Sequence, residues 1–188
     1  QRNSRDENKK IKNGVIPEGW EKPENKSKLA QKDIDADWTK KNGERHFGYK
    51  DHVKCDADSK LITNYSVTSA SVHDSQRCLV FIGQEDEVLY ADSAYSGKPI
   101  ALALPENCKN QICEKGYRNS PLTSEQKMNN RRKSRIRCRI EQIFGFMTGA
   151  MHGITIRSIG ITRAWMNIGI TNLVYNFCRY SYLKRASA

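Results

Sequence analysis

Two carboxylates and an arginine stand where they could handle a phosphodiester. In DEVLYADSAYSG (86–97) an apolar run over 88–91 delivers Asp92 into a turn of small residues. Such a run reads as a strand buried on both faces, and the carboxyl end of such a strand is where α/β folds expose their ligand sites. In RRKSRIRCRIEQIFGFM (131–147), Glu141 is the only acid between Glu125 and the C-terminus, four residues after Arg137. With Ile136 as origin on a helical wheel, Arg137 lies near ~100° and Glu141 near ~140°, on one flank of the apolar stripe. The plain reading makes Asp92 a turn residue and Arg137–Glu141 an exposed helix ion pair worth ~0.3–0.5 kcal/mol. The chemical reading makes Asp92 and Glu141 oxygen ligands for Mg²⁺, one from a strand end and one from a packed helix. Two-metal phosphoryl transfer needs carboxylates that hold cations roughly 3.5–4 Å apart. Two acids are too few, so a third carboxylate, commonly on the adjacent central strand, has to be supplied.

The elements that must position these groups follow from pattern. Residues 1–36 are polar, with Pro17 and Pro23 and few apolar anchors, and read as extended chain. The β-rich stretches 44–56 and 60–70, joined by Ala57, Asp58 and Ser59, predict an antiparallel hairpin. A helix over 71–83, a buried strand over 87–91, a short helix over 98–104 stopped by Pro105 and a strand over 111–114 come next. Residues 121–149 read as one long helix with Thr123 or Ser124 as N-cap and Gln126 near the capping-box position. Ile136, Ile140, Ile143, Phe144 and Met147 form its core stripe. A last helix over 160–183 is apolar around most of its circumference and is expected to be buried. The order implies an α/β chain with a mixed sheet: an antiparallel hairpin, then parallel strands joined through helices. The expected organisation is a connecting segment over 1–37, a core over 38–149 and a C-terminal helical part over 150–188.

The net charge of +11 is one-sided. Residues 109–188 hold 15 Lys/Arg against 3 Asp/Glu, while residues 1–108 hold 17 against 18. A field of that kind points to a polyanion, nucleic acid above all. Six of the nine positions 131–139 are basic, and Arg131, Arg132, Lys133, Arg135 and Arg139 point away from the apolar stripe as phosphate contacts, which position without specifying sequence. Trp38 and Trp165 could stack on bases, although a Trp in an apolar helix, such as Trp165, reads as core. His52 reads as a hairpin side chain and His73 as part of a helix start. The six cysteines include no C-x-x-C pair and read as ordinary thiols. No membrane span or signal peptide is apparent, so a cytoplasmic location is expected. The chain begins with Gln1 rather than Met, as a piece of a longer polypeptide would.

QRNSRDEN (1–8), DADWTKKNGERHFGYKDH (35–52), VTSASVHDSQ (67–76), YADSAY (90–95), KGYRNSPLT (115–123), NRRKSRIRCRIEQIFGFM (130–147) and NLVYNFCRY (172–180) occur in this order. Together they resemble the C-terminal portion of bacterial insertion-sequence transposases of the DDE type, in the group of insertion sequence five. The resemblance implies a ribonuclease H-like fold flanked by helices, with an extra C-terminal helix. It also implies Mg²⁺- or Mn²⁺-dependent cleavage and strand transfer at transposon ends, with double-stranded DNA and a second copy of the chain as partners. Asp92 matches the family's second aspartate, Glu141 its glutamate and Arg137 the arginine four residues before it. The first aspartate and the first strand that carries it would precede Gln1 and are absent, so a catalytic domain inactive by itself is implied. Thr148 and Ser134 stand where many relatives carry lysine and tyrosine. Asp33, Asp35 and Asp37 are nearby acids, but on the connecting segment. The competing readings are a DNA-binding remnant without catalysis and a basic structural or RNA-associated protein.

Overall fold

The computed structural model of the chain describes residues 2–41, 43–153 and 155–187. It divides into two compact units: Gln1–His52 with Ser66–Val72 and Thr155–Thr171, and Val53–Tyr65 with His73–Ile154 and Asn172–Ala188. The strands are β1 (Asp37–Lys41), β2 (Glu44–Cys55), β3 (Ile62–Ser69), β4 (Val88–Leu89) and β5 (Lys109–Asn110). The helices are α1 (Arg5–Lys12), α2 (Lys26–Leu29), α3 (Ser75–Phe81), α4 (Lys98–Ala103), α5 (Ser124–Arg137), α6 (Arg139–Gly149) and α7 (Ile161–Ala186). Strands β1, β2 and β3 form a three-stranded sheet in that order, β1 and β2 pairing antiparallel, while β4 and β5 form a separate parallel pair. Both pairing senses expected of a mixed sheet are therefore present, but in two sheets rather than one.

In the first unit the amino-terminal segment is not extended. Ser4 and Glu7 form a reciprocal capping box that starts α1. Buried Asn8 then fixes the helix, its Nδ2 donating to the Ala36 carbonyl at 3.0 Å and to Asp37 Oδ1 at 2.9 Å. Trp38 Nε1 donates to the Asn3 carbonyl at 2.8 Å, and the Trp38 ring packs on Phe47 of β2. Strand β1, another element the sequence pattern did not foretell, is thus held from both sides. Burial alone raises the Glu7 carboxyl, but the Ser4 N–H, Lys32 and Trp20 outweigh it and hold Glu7 down to about 2. A depressed carboxylate contributes stability above its unfolded value and loses it as pH falls through the folded one. Between pH 4.5 and about 2 the wild-type chain is therefore expected to lose thermal stability that Glu7→Gln lacks from the start. Melting curves of both proteins across that window check this, and parallel pH profiles would refute it.

The second unit holds two apolar clusters. Ile143 and Met147 of α6 are fully buried with Ile62 and Tyr175, and Val53, Tyr65, Ile140 and Phe144 pack on them. Four of the five stripe residues that the spacing predicts are here; Ile136, on α5, is not among them. Cys78, Ala91, Ile100 and Ile112 form the second cluster under β4, α3 and α4. Burial here supplies roughly 25 cal/mol per Å² of apolar surface. Polar clips add register: Asn176 of α7 both accepts from the Ile62 N–H and donates to its carbonyl, each at 2.8 Å, and Lys54 pairs with Asp86 at 2.5 Å.

Two further expectations, both about helices, need correction. The single helix over 121–149 is two helices, because Cys138 sits at ψ −7, well short of helical geometry. Its thiol donates to the Arg135 carbonyl at 3.2 Å, competing for an acceptor that helix continuation would use. The last helix is not buried all round: Met166, Ile170, Leu173, Phe177 and Tyr180 are exposed, as is Trp165. Among the described residues no helix is long and apolar enough to cross a membrane.

Candidate active site

Asp92 is set by the parallel pair. The N–H groups of Lys109, Gln111 and Cys113 donate to the carbonyls of Glu87, Leu89 and Ala91 at 2.9–3.0 Å, so extended pairing runs past the formal ends of β4 and β5 and stops one residue before Asp92. The half-buried side chains of Val88 and Leu89 correct the reading of a strand covered on both faces. Asp92 then caps the 3₁₀ turn Ser93–Tyr95, its Oδ1 accepting from the Ser93 N–H at 2.6 Å while the side chain stays exposed. Below it, burial pushes the Tyr95 phenol up to about 12, and the charges of Asp74, Cys78 and Asp92 add to this.

Glu141 lies in the first turn of α6, where unpaired backbone N–H groups favour an acid. Arg137 reaches across the helix break and its Nη2 pairs with Glu141 Oε1 at 2.8 Å. The arginine is mostly covered and the glutamate is 60% exposed, so the pair is anchored at one end and open at the other. Asp92 and Glu141 belong to the same compact unit. As exposed carboxylates with oxygens left over they suit a hard divalent cation, which is held by one or two carboxylates, waters and substrate phosphates. Among the described residues no group of three or more His, Cys, Asp or Glu side chains could hold a metal ion.

The basic residues divide in two. Lys133 Nζ donates to the Ile112 carbonyl at 3.0 Å, and Arg139 reaches Asp58 at 3.3 Å. With Asn130, which exchanges two 2.9 Å hydrogen bonds with the Glu114 backbone, Lys133 docks α5 on the segment after β5. Arg131, Arg132 and Arg135 are exposed. Arg131 and Arg135 line an open concavity of about 590 Å³ together with Leu122, Lys127, Asn130, Ser134 and Cys138. Lys127, Arg131 and Arg135 follow at i, i+4 and i+8, so three cations rise about 6 Å per step on one face. Lys127 lies outside the dense basic run and was not singled out by composition; the four-residue spacing is the signal that finds it.

The other candidates have structural partners. His52 is buried and bonded to Thr68 Oγ1 at 2.8 Å, and His73 Nδ1 meets Ser75 Oγ at the start of α3. Asp37 pairs with Lys12 at 2.5 Å. Asp33 accepts from Tyr49 Oη at 2.7 Å and from the Gly160 N–H at 3.1 Å, and Asp35 accepts from the Ile161 N–H at 2.9 Å, so both acids serve the amino end of α7.

Residues 19–177 match the family described as the transposase DDE domain. Among curated proteins, the transposase for insertion sequence element IS1106 of Neisseria meningitidis serogroup B is 34% identical over 117 residues, which are 61% of this chain and 40% of that protein. The matched stretch thus spans well under half the length of this relative. No solved structure matches at the same level of significance. The family match takes in Asp92, Arg137, Glu141 and the whole cationic face of α5, and with most of its length covered the chain belongs to the transposase DDE domain family.

Proposed function

We propose that this chain is the metal- and DNA-holding part of an insertion-sequence transposase. Asp92 and Glu141 are its two metal ligands, Arg137 is the positioning residue for Glu141, and Arg131, Arg132 and Arg135, joined by Lys127, carry the DNA backbone. The observation that carries this reading is the pairing of two exposed carboxylates with an open cationic face in one compact unit. Membership of the family implies a ribonuclease H-like fold, divalent metal and DNA, and the acids fit the metal by donor type and exposure. A bound cation would supply Lewis-acid activation and charge neutralisation at a phosphodiester. The chain's own part is to hold the Glu141 carboxylate oriented through Arg137, and to fix the strand by backbone contacts. Lys133 docks α5 through the Ile112 carbonyl, and Arg139 ties α6 to Asp58.

Two of the three family acids have matches in this sequence, so the 188-residue chain alone is expected to bind DNA without nicking it. The test is supercoiled DNA with Mg²⁺ or Mn²⁺, beside Mn²⁺ binding followed by paramagnetic relaxation. Wild type is expected to bind Mn²⁺ weakly, and Asp92→Ala and Glu141→Ala each to lose that binding while keeping DNA affinity. Mn²⁺ binding unchanged in both variants would overturn the ligand assignment. Nicking abolished by both substitutions would keep the assignment and overturn the expected inactivity. A DNA-binding remnant without metal chemistry is the second reading, favoured by the absence of a three-ligand cluster among the described residues. Wild type that binds DNA but no Mn²⁺ would select it.

A further inference from the structure

Helix α5 carries both the cationic face and Arg137, yet none of its residues is buried. Apolar packing therefore does not set where the helix lies along the extended segment 111–114; polar contacts do. Asn130, Lys133, Ser134 and Arg137 follow at i, i+3, i+4 and i+7 on one face. Lys133 Nζ donates to the Ile112 carbonyl at 3.0 Å, and Ser134 Oγ lies 3.7 Å from Cys113 Sγ. An ammonium on a four-carbon stem follows its acceptor and fixes no register. Asn130 is different in kind. Its Oδ1 accepts from the Glu114 N–H and its Nδ2 donates to the Glu114 carbonyl, both at 2.9 Å. One short, planar amide thus answers both backbone groups of one residue, as a neighbouring strand would.

We propose that Asn130 is a positioning residue: it fixes the register of α5, sets where Arg137 draws the Glu141 carboxylate, and so sets its spacing from Asp92. The inference rests on the reading of those two acids as metal ligands. On one side the connection is short. The Cys113 N–H donates to the Ala91 carbonyl at 3.0 Å, which ties the residue before Glu114 to the residue before Asp92. On the other side it runs along α5. Arg137 lies seven residues, about 10 Å, beyond Asn130, and its Nη2 holds Glu141 Oε1 at 2.8 Å. Helix α6 is seated independently by buried Ile143 and Met147, so a slide of α5 would not carry α6 along. It would move Arg137 past Glu141, whose exposed side chain would then be drawn elsewhere or released.

The experiment compares wild type with Asn130→Ala, Asn130→Gln and Thr123→Ala in the full chain. Thr123 Oγ1 accepts from the Gln126 N–H at 3.2 Å in the capping box of the same helix, so its loss weakens α5 without touching the clasp on Glu114. Mn²⁺ affinity, read by water-proton relaxation, is expected to fall about 10-fold in Asn130→Ala and less than about twofold in Thr123→Ala. A second readout needs no metal. Nitroxides are placed on Ala94→Cys and Arg132→Cys, both exposed positions, with Cys55, Cys138 and Cys178 replaced by alanine. Dipolar spectroscopy should give the wild-type distance in Thr123→Ala and a shifted or broadened one in Asn130→Ala. Asn130→Gln keeps the amide one methylene farther out, and covers the case in which the alanine variant fails to fold. It should melt near wild type and still shift the distance. An unchanged distance in both Asn130 variants, or equal changes in Asn130→Ala and Thr123→Ala, would overturn the inference and leave the ligand reading standing. A changed distance supports it even where Mn²⁺ binding is indifferent to Asp92→Ala and Glu141→Ala, a result that overturns the ligand reading alone.

Discussion

Replacing Lys127, Arg131 and Arg135 together by glutamine is expected to lower affinity for duplex DNA by about 100-fold at low salt. The same change should flatten the dependence of log K on log salt by about 2.7, three phosphate contacts at ~0.9 each. The reason is geometric. The three side chains share one face of α5 and open into the same concavity, and a cation with no side-chain hydrogen bond or ion pair among the described residues can release a DNA counterion at little cost. Lys133→Gln is the internal control: its ammonium is committed to the Ile112 carbonyl, so its loss should cost stability and leave the salt slope nearly unchanged. Because backbone contacts carry no base information, the loss should be equal for unrelated duplexes. Fluorescence anisotropy over a salt series measures both quantities. A slope unchanged in the triple variant would place DNA elsewhere on the molecule.

The sequence was most readable where one periodicity served one face. Of the predicted stripe Ile136, Ile140, Ile143, Phe144 and Met147, the four residues on α6 enter the core, Ile143 and Met147 fully buried, while Ile136 lies on α5 outside that cluster. Thr123 and Gln126 start α5 with the capping box their spacing suggests. The 88–91 run leads to Asp92, since a parallel pair ends there whatever its formal length. Pattern failed where long-range contacts decided. The S-x-x-E box of Ser4 and Glu7 lies in a polar segment, and what makes α1 worth forming is Asn8 bonding to Ala36 and Asp37, 28 and 29 residues away. The break at Cys138, where the thiol also reaches the Arg135 carbonyl, has no proline or glycine to announce it. Composition also does not show that Lys133 and Arg139, read as phosphate contacts, have protein partners in distant parts of the chain. An all-round apolar helix such as α7 reads as core, yet the same pattern also describes a helix with one face inward and another exposed.

Asp33→Ala is expected to destabilise the first unit by about 3–5 kcal/mol, the cost of breaking a buried, fully bonded carboxylate. Asp33 is buried and accepts four hydrogen bonds: from the Asp35 and Ala36 N–H groups at 3.1 and 3.3 Å, from Tyr49 Oη at 2.7 Å and from the Gly160 N–H at 3.1 Å. Burial pushes the Tyr49 phenol well above its ordinary range and the Asp33 and Asp35 charges push it further, so the phenol keeps its proton and remains a donor. Truncation strands that hydroxyl and the Gly160 amide just before α7 begins. At roughly 2–4 °C per kcal/mol for a chain of this size, the midpoint for that unit should fall by about 10 °C. Asp33→Asn should lie between wild type and alanine, since an amide replaces one acceptor oxygen by a donor facing other donors. The same pair of variants separates structure from chemistry. Asp33 used as a substitute metal ligand would let Asp33→Asn keep the wild-type midpoint while Mn²⁺ binding disappeared, whereas Asp33 used as a clasp makes the midpoint fall while Mn²⁺ still binds through Asp92 and Glu141.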